Sequence, residues 1–123
     1  MKTKLYLLFF IAFYSLISTA EETKPFKQFI VHLETGEKWD TSISPNDQKG
    51  FKEHSANMNR LRTEGVIQFG ARYSEFGLLI VSVETRDKAI EILDADPGVK
   101  SGIFKFRVDP ISIFYPWKEE KGQ

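Results

Sequence analysis

The sequence predicts an α+β domain, an antiparallel sheet with helices on one face, and three observations point to it. Near residue 30 the chain alternates, with Phe29, Val31 and Leu33 on one side and Gln28, Ile30 and His32 on the other. VIQFGARYSEFGLLIVSV, residues 66–83, consists of two apolar segments around a short turn, the pattern of a hairpin. Two capped amphipathic segments flank that hairpin, one before it and one after.

Before the domain, MKTKLYLLFFIAFYSLISTA has a basic start at Lys2 and Lys4, an apolar run from Leu5 to Ile17 and a small-residue end at Ala20. That is the pattern of a secretory signal peptide over residues 1–20, and the run is shorter than the roughly 20 residues a spanning helix needs. The expected domain is 21–123, exported to the periplasm or secreted, with no stable membrane insertion after cleavage. It keeps all 17 acidic residues and loses two of the 17 basic ones, so its charge is slightly negative. Without a basic excess there is no electrostatic footprint for nucleic acid. The chain has no cysteine, so a domain of this size depends on its core alone.

The first strand starts at Phe26 and gives way to a loop, Glu34 to Ile43, in which Trp39 needs an apolar seat. Ser44-Pro45-Asn46-Asp47 is a helix-start pattern: a serine N-cap, proline at the first position and an acidic first turn. The first helix is expected over 45–64, with Gly50 weakening its early turns and Gly65 suited to the left-handed cap. At 100 degrees per residue Phe51, His54, Met58 and Leu61 fall within an arc of about 80 degrees, which makes them the buried stripe.

The hairpin strands are expected at 66–73 and 78–83, the second apolar on both faces as a central strand would be. Thr85 caps a second helix with Ala89, Ile92 and Leu93 inward, and Asp96-Pro97-Gly98 ends it. After a VKSG link, residues 103–108 alternate as a fourth strand, which Asp109-Pro110 should break. ISIFYPW is then expected as a last short extended piece. The order β-α-β-β-α-β is the split arrangement of the ferredoxin-like fold, a four-stranded antiparallel sheet with both helices on one face. The other face carries either Ile30 and His32 or Phe29, Val31 and Leu33, depending on the side the helices take. A bare apolar face of that size implies a partner, and a homodimer packed sheet to sheet, with the tail reaching over the edge, is expected.

Several side chains are candidates for a site. His54 lies on the inner arc, either as a general base held by a carboxylate or as a core histidine bonded to a carbonyl. Arg72 and Tyr73 follow Gly70 on a strand, where a missing side chain lets a ligand approach. Arg72 either binds a carboxylate or phosphate through its planar fork or pairs with a surface acid such as Glu75. His32 either binds a ligand from the bare side of the sheet or is an ordinary strand histidine, and Trp39 with Asp40 either forms a lid or pins the long loop. No zinc-ligand spacing, phosphate loop or nucleophile elbow is present, so no metal or cofactor is expected.

A histidine-bearing helix ended by glycine, a strand with Phe69-Gly70-Ala71, a second helix closing in Asp96-Pro97, and Gly102-Ile103-Phe104 before a terminal strand resemble the YCII-related domain family. The resemblance spans about Phe26 to Phe114. It implies a dimeric α+β barrel built from ferredoxin-like protomers, and a histidine-aspartate pair that falls on His54 and Asp96. By residue type alone, Asp96 is equally a capping or turn aspartate. The chain departs from the pattern in its signal peptide, its longer Lys38-Trp39-Asp40 loop and its Tyr115-Pro116-Trp117 ending. The expected function is cofactor-independent acid/base chemistry on a small molecule, and the alternative is a non-catalytic ligand-binding or structural dimer.

Overall fold

The computed structural model describes residues 25–119, and the expected signal peptide lies outside them. The elements are β1 (Lys27–Thr35), a 3-10 turn (Pro45–Asp47), α1 (Phe51–Thr63), β2 (Ile67–Tyr73), β3 (Phe76–Val83), α2 (Arg86–Asp94), α3 (Pro97–Lys100) and β4 (Phe104–Pro110). The strands form one antiparallel sheet in the order β2-β3-β1-β4. Each helical connection therefore joins strands that have another strand between them, an order consistent with the ferredoxin-like plan.

Alternation on β1 decides which face the helices take. Phe29, Val31 and Leu33 are buried with Val81 and Val83 of β3 and Val108 of β4, under Leu61 of α1 and Ala89 and Leu93 of α2. Burial of these apolar side chains is the main drive for folding, at about 1.5–3 kcal/mol for each fully buried aliphatic side chain. The opposite face carries Ile30 and His32, whose sheet partners are Ile80 and Asp109, and Leu78 and Arg107. Phe69 stands opposite Ile80, and both Phe69 and Tyr73 are exposed.

Several boundaries differ from expectation, each for a local reason. Ser44 starts only the 3-10 turn, and its hydroxyl bonds Asp47 Oδ2 at 2.7 Å rather than capping amides. The α-helix begins after Gly50, which has φ 88° and lies against α3 so closely that a Cβ would meet Ser101 Oγ at 2.7 Å. Only glycine meets both demands without strain. Gly65, at φ 82°, ends the helix as expected. The expected VKSG link instead contributes Val99 and Lys100 to α3, which Asp96 caps. β4 continues through Asp109-Pro110, with Pro110 opposite Phe29. Proline is tolerated there because β4 is an edge strand. ISIFYPW forms no strand, and its Phe114, Tyr115 and Trp117 are exposed.

Candidate functional site

α1 turns His54 inward at one helical turn from Phe51, and the next inward turn offers Asn57 and Met58. The chain between α2 and α3 brings Asp96 to the same place. His54 Nδ1 and Asp96 Oδ2 are 2.7 Å apart, and the carboxylate is fully buried while the imidazole is nearly so. Asn57 Nδ2 donates to the other oxygen, Oδ1, at 2.8 Å. The backbone amides of Gly98 and Val99 donate to Oδ2 at 3.0 and 3.2 Å. Asp96 thus caps α3 and anchors His54 at once, so the turn role and the site role that the sequence left as alternatives coexist.

The electrostatics follow from those donors. Burial pushes the Asp96 carboxyl upward, but the hydrogen bonds from His54 and Asn57, the charge of His54 and the Val99 amide outweigh it and hold it below the ordinary aspartate range. An ionised carboxylate only accepts, so the proton of the shared bond belongs to Nδ1 of His54. Nε2 is then the free nitrogen. Among the described residues no protein group bonds Nε2, and no buried side-chain nitrogen or oxygen lacks a partner, so Nε2 is open to solvent.

His54 lines a cleft of about 660 Å³ between α1, the long loop and the β2–β3 end of the sheet. The Phe104 ring lies 4.5 Å from the imidazole, centroid to centroid and tilted by 45°, and Trp39 stands 5.6 Å from Phe104. Trp39 is held by its loop, because Gly36 and Lys38 donate backbone bonds to Ile103 and Gly102 at 2.8 and 3.0 Å. Buried Gln48 closes the loop by accepting from the Asp40 amide at 2.9 Å and donating to its carbonyl at 2.6 Å. Asp40 itself bonds Ser42 and is outside the cleft lining.

The structure divides the sequence candidates between the two faces of the sheet. Arg72 lines the cleft with Trp39 and His54, and it makes no ion pair with Glu75 or any other acid among the described residues. Tyr73, one residue on, points the other way, and its hydroxyl lies 2.8 Å from His32 Nδ1 beside Phe76. His32 and Tyr73 therefore belong to the bare face rather than to the His54 cleft.

Asn57, Phe104 and Gly98 are not candidates for the site by sequence. Asn57 had a signal, its place three residues beyond His54 on the same helix face. Gly98 had none, since its role is close approach: a Cβ would meet Phe104 Cδ2 at 2.8 Å and both Asp96 Oδ2 and His54 Cβ at 3.0 Å. Among the described residues no three His, Cys, Asp or Glu side chains gather as a metal-ligand set. No described helix is long and apolar enough to cross a membrane.

No known family model matches the chain, and no curated protein matches it either.

Proposed function

We propose that the cleft is a small-molecule site in which His54 Nε2 gives or takes a proton while Asp96 holds the ring, without a cofactor. The chemistry this suits is proton transfer, hydrolysis or a lyase-type elimination. One observation carries it: His54 Nδ1 donates at 2.7 Å to the fully buried carboxylate of Asp96, with the other ring nitrogen open on a cleft. A carboxylate so placed fixes the tautomer, aims the free lone pair and stabilises the imidazolium that forms when Nε2 takes a proton. The YCII-like run of residues supports the same pair, and it brings with it the dimeric α+β barrel. The protein is then an exported, YCII-like homodimer, periplasmic or secreted, packed through the face that carries Ile30, His32 and Phe69.

The competing reading, a non-catalytic binding or structural module, has its own observation: Asp96 is already occupied as the cap of α3. A thermal-shift screen of small molecules on the protein and on His54→Ala separates the two. Compounds that stabilise the wild type but not the variant, and that the wild type converts with a pH-dependent rate, are the expected result. Compounds that bind both proteins equally would remove His54 from the site.

A further inference from the structure

The cleft also bears on what kind of molecule it accepts, an inference that rests on the reading of the cleft as the His54 site. One wall is aromatic: Phe104 lies beside the His54 ring and between Trp39 and Phe51, with centroids 5.6 Å (Trp39–Phe104) and 6.2 Å (Phe51–Phe104) apart. The rings are tilted by 41° and 48° to one another, so the wall offers apolar ring faces and edges against which an aryl group can pack. In the same lining the exposed Arg72 is the only lysine or arginine among the described residues, and it forms no ion pair with a carboxylate. An unpaired guanidinium presents a planar fork of donors matched to a carboxylate.

Two acids also line the cleft and limit the charge it can accept. Glu34 is bound to Lys105 at 3.6 Å, and Glu75 sits in the turn of the hairpin with no ion pair among the described residues. A second negative group on a ligand would meet these carboxylates. A volume of about 660 Å³ suits a molecule with a ring and a short side arm.

We infer that the cleft takes a small monocarboxylate with an aryl body, its ring laid on the Trp39–Phe104 wall and its carboxylate on Arg72, within reach of His54 Nε2. Three probes share one ring and differ only in the head group: phenylacetate, phenylacetamide and 2-phenylethylammonium. Each is titrated into the isotopically labelled protein, with the His54 imidazole signals and the Arg72 Nε–H signal as readouts. The acetate is expected to bind about tenfold or more tighter than the amide, as a charge-assisted bond would give. Arg72→Gln should erase that advantage and weaken the amide far less than the acetate, and Arg72→Lys should restore only part of it.

Equal binding of the acetate and the amide, or tighter binding of the ammonium, overturns the inference. In either case a shift of the His54 signals still marks the cleft as the His54 site, so the broader reading survives. If none of the three binds, the inference also falls, and the broader reading is then decided by the thermal-shift comparison with His54→Ala.

Discussion

The chain has two histidines, and each uses Nδ1 in a side-chain bond of nearly the same length, 2.7 Å for His54 and 2.8 Å for His32. On the helix-covered face the partner is Asp96, fully buried, ionised and bonded also by Asn57 and two backbone amides. On the bare face the partner is a neutral phenol, Tyr73, that is 46% exposed. Bond length does not distinguish them. What differs is the cost of breaking each bond: in the interior a donor or charge left alone pays its full desolvation penalty, whereas at the surface water replaces the lost partner.

The sharpest test of that contrast is Asp96→Ala, which strips the cap from α3, the anchor from His54 and the acceptor from Asn57. Denaturant unfolding should show a loss of about 2–4 kcal/mol, from the lost cap and the donors of His54 and Asn57 left without their charged acceptor. A loss below about 1 kcal/mol would mean that the network is incidental. Gly98→Ala should follow, costing about 1–3 kcal/mol by forcing a methyl group against Phe104, Asp96 and His54. It should also distort the site, visible as a change in the His54 NMR signals.

Acid distinguishes the faces differently. Because Asp96 is held below its ordinary value when folded, it contributes stability that is present above the unfolded value and is lost as the pH falls through the folded one. Wild type should therefore lose more stability than Asp96→Asn between pH 6 and pH 2. Parallel pH profiles for the two would contradict an ionised Asp96. His32→Ala should have the smallest effect on the protomer, within about 0.5 kcal/mol, since its bond is replaceable by water. The bare face instead shows itself through assembly. The protein should elute as a dimer, and Phe69→Glu should convert it to a monomer that keeps the secondary-structure signal; a wild-type monomer would refute sheet-to-sheet packing.

Much of the architecture was legible because the signals were local. Period-two alternation marked β1 and β4, the Thr85 cap and Gly65 bounded helices, and the arc through His54 and Leu61 identified the two residues that α1 buries. Where reading failed, the deciding contact came from far along the chain. Gly50 begins α1 because α3 packs against it, and Ser44 could not signal that. Arg72 and Tyr73 are neighbours in sequence, yet adjacent residues on a strand point to opposite faces, and only the hairpin's pairing shows which face holds the cleft.

The sequence by itself determined the order of the four strands and the two longer helices, the inward placement of His54 and the two readings of Asp96, because caps, turns and periodicity act within a few residues. Tertiary structure alone decided that both readings of Asp96 hold together and that Asn57 and Phe104 complete the site. It also separated the two histidines, one buried against a charge and the other left on an open sheet. Those outcomes depend on contacts between residues some forty positions apart, such as His54 with Asp96. Contacts of that separation form only when the sheet brings the end of α2 against the first turn of α1.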